Sequence, residues 1–466
     1  MKKICVGIVL FILFINTSVK SQTQTVKITN GPQLIQDSKW DEREFSGQDG
    51  KSIYILNKGV KNSQIECINS ETLISTYKEN INIPCFFLVA PDRIYGWKNQ
   101  HLFMYKGKLL YIGENFEKKT NQQIISQLFI SKTGKSSTEP STLFEEEVIK
   151  KKPLSFKFIQ STDSSEILIL IHSPKDDKFI FKVLNFNNEI KSTGEFTADL
   201  KLGEDLKDIQ YDTRGSITFL TESYNKIFIQ DIKKNTQKSY NIGNNAYTIT
   251  RLKYRLYNDK ILFAGLCNSS EGKQNIYFSV FDLGTKELKE SKIREIENHI
   301  LPNTDYLLFT DFILKENGGA YLIIEENGIE QSNKIVTGVN GWSVKGGIFI
   351  FNYDENYKFK WEKKIERKQM YPALEADFMQ HYADVINNQL IILYNVKAED
   401  GLGKILNLTM GTFNEGGEYS TSKLIEYKKD ELFIFTGTSV MKSQRKNLIS
   451  FQREKQNYNF TKLSFK

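Results

Sequence analysis

The chain has little of what usually announces chemistry. Its 466 residues include only four Cys and four His. No CxxC pair occurs, so neither a zinc knuckle nor a thioredoxin-like redox site is indicated. His101, His172, His299 and His381 are scattered, with no close pair at metal-ligand spacing. HExxH, GxSxG and GxGxxG are all missing. The GKS at 134–136 has the end of a phosphate-binding loop without its beginning, because the required leading Gly is Phe129. No acidic stretch has calcium-loop spacing; Asp41-Glu42 to Asp49-Gly50 lacks oxygens at alternate positions. On these grounds no cofactor and no metal are expected.

Linkers and spans are equally scarce. Eight Pro are spread through the chain, and no Pro-rich, Gly/Ser-rich or low-complexity stretch divides it. The one long apolar run is Ile4 to Ile15, behind Lys2 and Lys3 and ahead of the small residues Val19 and Ser21. That pattern reads as a secretory signal peptide over 1–21, cleaved before Gln22. Residues 22–466 then form a single exported domain, periplasmic or extracellular, with no transmembrane span. Removing 1–21 takes away Lys2, Lys3 and Lys20 and no acid, which lowers the formal charge from +7 to +4. The remaining Lys are interleaved with Asp and Glu, so no basic face points to nucleic acid. Cys67, Cys85 and Cys267 stay in the mature chain. Cys67 and Cys85 are the nearest pair for a disulfide, but an odd number of cysteines in so large a chain favours buried free thiols.

What the chain does have is a repeat. Eight times a tight polar turn leads into a short apolar run, followed by a polar loop, a second strand-like run and another turn. Asp49-Gly50 precedes SIYIL, Asp163-Ser164-Ser165 precedes ILILI, Arg214-Gly215 precedes SITFL, and Asn258-Asp259 precedes KILFAGL. Asn317-Gly318-Gly319 precedes AYLII, Asn387-Asn388 precedes LIILY, and Lys429-Asp430 precedes ELFIF. The unit around HLFMYKGKLLYIG (101–113) is less regular. Gly and Asn supply the positive φ angles of tight hairpin turns. Runs without polar alternation belong to strands covered on both faces. The second run of each unit alternates more, as in KIFIQDIKKNTQK, and so lies nearer a wet edge.

With an innermost strand such as LSFKFIQ (154–160) or FTDFILK (309–315), each unit makes about four antiparallel strands. Units recur at roughly 40 to 70 residues. The expected fold is all-β, a β-propeller of seven or eight blades, with VKITNGPQLI lending a strand that closes the ring on the last blade. Tandem β-sandwiches are the rival fold.

DSSEILILI resembles the inner hairpin of TolB-like and WD-repeat propellers, although the Gly-His and Trp-Asp signatures of WD repeats are absent. The GPQL start, NGGAYLIIEE followed by GGIFIFNYDENYKFKWEKKIERKQ, and the order of units over 30–466 are similar to an uncharacterised group of secreted propellers of Bacteroidota. That group carries no settled activity, so the resemblance assigns no functional residue.

In such a ring the short turns share one face and the longer loops the other. The long loops are read as 267–275, 394–404, 438–447 and, longest, 327–346, which carries Trp342. Loops on a rigid scaffold are where binding concentrates, and Trp342 is the binding candidate for a protein, envelope or glycan partner. No catalytic residue is assigned. His381 and Asp384 in HYAD could pair, without a nucleophile to serve. Ser161-Thr162-Asp163 partly matches the Asp-box turn of sialidase propellers, and Asp92-Arg93-Ile94-Tyr95 echoes their Arg-Ile-Pro strand. The turn lacks its usual Gly and aromatic and reads as a polar hairpin turn. The expected function is a non-catalytic binding platform. The alternative is a carbohydrate-active enzyme with carboxylates at the central channel, which acidic side chains of raised pKa converging there would mark.

Overall fold

In the computed structural model the described residues fall between 25 and 465. Outside the description lie 1–24, 36–39, 60–62, 82–87, 96–99, 136–138, 148–153, 174–177, 197–206, 222–225, 243–247, 269–273, 297–305, 331–341, 373–380, 398–404, 427–433, 444–446, and single positions or pairs in other connections. Eight antiparallel sheets follow one another along the chain. Blade 1 is Trp40–Asp49, Ser52–Gly59, Ser63–Asn69 and Ser75–Ile81. Blades 2 to 5 span 100–147, 155–196, 207–241 and 248–295. Blade 6 is Tyr306–Leu314, Ala320–Glu330, Trp342–Tyr353 and Phe359–Ile365, and blade 7 is Tyr382–Ile386, Gln389–Lys397, Ile405–Phe413 and Tyr419–Glu426. The first strands of neighbouring blades touch each other around the ring, including those of blades 8 and 1, so they form the inner wall.

Blade 8 takes only three strands from the C-terminal end: Ile434–Ser443, Asn447–Glu454 and Asn457–Phe465. Its fourth is Val26–Asn30, paired antiparallel with the last from Val26↔Phe465 to Asn30↔Thr461. The expected closing strand is therefore present, and the blade number is eight. This closure also corrects the reading of the last unit. Because the N-terminal strand fills the outermost place, the unit runs one strand later. Residues 438–447 belong to the first hairpin, which turns on the short-turn face, not to a loop on the opposite one.

The apolar runs explain the ring. Eight hydrophobic clusters occur, one between each pair of adjacent blades. In blade 3, Ile167, Ile169 and Ile171 face blade 2, while Leu168 and Leu170 face blade 4. Alternate side chains of a strand point to opposite faces, so a strand between two cores must be apolar at every position. Each fully buried Leu or Ile contributes about 1.5–3 kcal/mol. The turns behave as their residues dictate. Asn387 and Asn388 both hold positive φ (54° and 60°) in the hairpin of blade 7. Gly318 sits at φ 93°, where a Cβ would come within 2.5 Å of the Tyr257 ring.

Strands run further than the sequence reading placed them, and the connections shrink accordingly. The 267–275 loop becomes 269–273, and 394–404 becomes 398–404. Cys67 and Cys267 are buried free thiols, and burial pushes the Cys267 thiol up to about 11. Cys85 lies outside the described residues. Among the described residues no helix is long and apolar enough to cross a membrane.

Candidate functional site

The most elaborated part of the ring is the junction of blades 6 and 7. The second and third strands of blade 6 continue past the sheet as a hairpin, pairing Asn327↔Lys345 up to Glu330↔Trp342. A short strand from the following connection, Gln369–Pro372, adds alongside through Trp342↔Pro372 to Lys345↔Gln369. The hairpin points to the face opposite the short turns. Trp342 is thus the first residue of a strand, not a residue on a loop tip. The expected 327–346 loop reduces to the 331–341 connection, which lies outside the described residues, as does the Trp342 side chain.

A buried carboxylate braces this outgrowth. Glu325 continues the row of Tyr321 and Ile323, which faces blade 7, and its side chain is 2% exposed. Lys345, on the partner strand of the hairpin, donates to its Oε2 at 3.1 Å. Arg367, just after the last strand of blade 6, donates through Nη2 to Oε1 and through Nε to the Gly346 carbonyl at 3.1 Å. His381, just before the first strand of blade 7, meets Oε1 through Nδ1 at 2.7 Å. One carboxylate therefore holds the base of the hairpin and both ends of the 367–381 connection.

The electrostatics follow from burial. Removal from water alone would push the Glu325 carboxyl up, but Arg367, His381 and Lys345 overturn that and hold it far below the ordinary carboxylate range. Burial likewise lowers His381, and Glu325 and Asp311 more than reverse it, raising the imidazole to about 9. His381 is therefore an imidazolium at neutral pH. Its Nε2 donates to Asp311 Oδ2 at 2.9 Å. Asp311 lies on the inner-wall strand Tyr306–Leu314 and its side chain is 38% exposed. The chain of contacts runs from the hairpin base to the inner wall of the ring.

The expected His381–Asp384 pair does not form. Asp384 accepts from the Tyr382 hydroxyl at 3.1 Å and the Val385 N–H at 2.7 Å, while His381 turns to Glu325 and Asp311. The reason is strand alternation together with the charge on Glu325, whose 56-residue separation from His381 no local spacing reveals. The other histidines stay apart: His172 lies tilted against the Phe179 ring with centroids 4.7 Å apart, His101 lies between Phe103 and Phe158, and His299 is outside the described residues. Asp163 accepts from the Ser161 hydroxyl at 2.8 Å and the Ser165 N–H at 3.0 Å, which is a polar hairpin turn. Arg93–Tyr95 pairs with Leu88–Ala90 in a small extra hairpin before blade 2. Among the described residues no group of three or more His, Cys, Asp or Glu has the geometry to hold a metal ion.

Fold and junction together define an eight-bladed β-propeller closed by its N-terminal strand, with a braced outgrowth on blade 6. No protein-family model and no curated protein matches the chain. Among solved structures it is similar to the β-propeller domain of the Trilobed protease from Pyrococcus furiosus, at 11% identity and a TM-score of 0.38, covering 84% of this chain and 98% of that one. It is similar to oligopeptidase B from Leishmania major at 12% identity and a TM-score of 0.41, covering 82% of this chain and 46% of that one. For prolyl oligopeptidase B from Galerina marginata, apo protein, the values are 9%, 0.39, 81% and 47%. The chain spans less than half the length of either oligopeptidase. Likeness at this level assigns no activity.

Proposed function

We propose that this chain is an exported, non-catalytic propeller that holds a protein or cell-envelope partner on its long-loop face. It works in the periplasm or outside the cell, after cleavage of 1–21, in the manner of the secreted Bacteroidota propellers it resembles. The observation that carries the reading is the hairpin of blade 6. A rigid ring with a braced projection suits presentation of a contact surface, because a pre-ordered element loses little entropy on binding. Trp342, at the outer end of the paired part of the projection, is the anchor residue, since a large rigid aromatic supplies contact area at low entropic cost.

The carbohydrate-active alternative asks for accessible carboxylates of raised pKa over the channel. Burial does raise the Glu326 carboxyl. That group, however, is fully buried in blade 6, taking the Gly347 N–H at 2.7 Å with Lys364 3.7 Å away. It does not support that reading.

The test is co-purification of the tagged mature protein from its native envelope beside Trp342→Ala. A specific partner retained by the wild type and lost by the variant is the expected result. Equal recovery from both, or no partner from either, overturns the assignment.

A further inference from the structure

A second site lies on the opposite, short-turn face, between blades 2 and 3. A cavity of about 330 Å³ opens there, at the small end of the roughly 300–1,000 Å³ typical of small-molecule sites. It is built from the first hairpin of blade 2 and two turns of blade 3. Its walls combine three chemistries. Tyr105 and Phe186 form an aromatic side, with ring centroids 5.5 Å apart. Ser165, Asn185 and Asn187 bring a hydroxyl and two amides. Lys106 and Lys108 bring two ammonium groups from one turn.

The charge balance of the cavity is uneven. The one carboxylate among its described lining residues, Glu166, is buried and occupied at both oxygens: Lys191 is on Oε1 and the Tyr211 hydroxyl donates to Oε2 at 2.7 Å. Lys191 thus cancels Glu166. Lys108 reaches only an amide, Asn187 Oδ1 at 2.6 Å, and Lys106 lies over the Tyr105 ring at 5.0 Å. Among the described residues neither has a carboxylate partner, so the described lining, with three ammonium groups and one carboxylate, carries two positive charges in excess.

We infer that this cavity binds an acidic monosaccharide, a hexuronate unit free or at a chain end. The two ammonium groups take the carboxylate. The amides serve the ring hydroxyls, the Ser165 oxygen can only accept from them because its proton goes to Asp163 at 2.8 Å, and the aromatic wall takes the C–H face of the ring against its negative π surface. A bare anion would leave the aromatic wall and amides unused, and a neutral sugar would leave the two charges unanswered. The site is independent of the blade 6 projection, since the two lie on opposite faces.

The test is calorimetric titration of the mature protein with D-glucuronate, with D-glucose and inorganic phosphate as comparison probes. Glucuronate is expected to bind saturably, and glucose to bind at least roughly tenfold more weakly, the worth of one charge-assisted contact. Lys106→Gln and Lys108→Gln are each expected to weaken glucuronate roughly tenfold without lowering the melting temperature, both side chains being exposed. Tyr105→Ala tests the aromatic wall. Absence of saturable glucuronate binding overturns the inference. So does phosphate binding as tightly as glucuronate with no loss in Tyr105→Ala, which would make the cavity a plain anion site.

Discussion

Among the described residues, two blade junctions place a histidine beside a glutamate, and they differ in depth. Between blades 1 and 2, His101 Nδ1 lies 3.6 Å from Glu44, and the two side chains are 32% and 36% exposed. Burial pushes the Glu44 carboxyl up, but His101 and Lys58, whose Nζ is 2.5 Å away, bring it down to about 2. Between blades 6 and 7, His381 and Glu325 are each 2% exposed and 2.7 Å apart, with Arg367 and Lys345 on the same carboxylate. The residue types match, and the consequences do not. Water screens the first pair, so it trims the surface. The second cannot be opened without stranding charge in the core, so it acts as a latch.

The largest effect is expected from Glu325→Ala. It leaves Arg367, Lys345 and His381 together without the buried carboxylate that all three share. A loss of about 3–5 kcal/mol is expected from denaturant unfolding; a loss below about 1 kcal/mol would make the latch no different from a surface pair. His381→Ala should come next, at roughly 1.5–3 kcal/mol, because it removes one fully buried charge-assisted hydrogen bond while Glu325 keeps Arg367 and Lys345, and its second bond goes to the part-exposed Asp311.

The third prediction uses pH. The His381 pKa is raised from 6.5 to about 9 in the fold. Below 6.5 the imidazole is charged whether folded or not, and its contribution is complete. Between 6.5 and 9 the folded chain holds a proton that the unfolded chain releases, so stability falls as pH rises through this window. Melting curves should show that decline in the wild type and a flatter profile in His381→Ala; identical profiles would detach the decline from His381. The smallest effect belongs to His101→Ala, expected within about 1 kcal/mol because the pair is screened. A larger loss there, measured by the same unfolding assay, would erase the distinction between the two junctions.

Much of the architecture was legible in residues. Asn387-Asn388 and Asn317-Gly318-Gly319 marked hairpins because few residues accept positive φ. ILILI and AYLII marked strands buried on both faces, and they do lie between two cores. The closing strand near VKITN was also readable. The last unit was not, because borrowing its fourth strand from the other end shifts everything before it by one place. Residues 327–346 read as a loop because polar residues interrupt the run, yet Glu326 sits at a bulge that the Gly347 N–H satisfies.

Element type, the repeat and its antiparallel order are written in the residues, since those depend on turn chemistry and on alternation over a few positions. Only the tertiary structure decided that Glu325 meets His381 and Arg367, that Trp342 opens a strand, and that Lys106 and Lys108 face the wall of blade 3. Ring closure sets those meetings between side chains tens of residues apart, and electrostatics in a buried junction depends on which charges arrive there together.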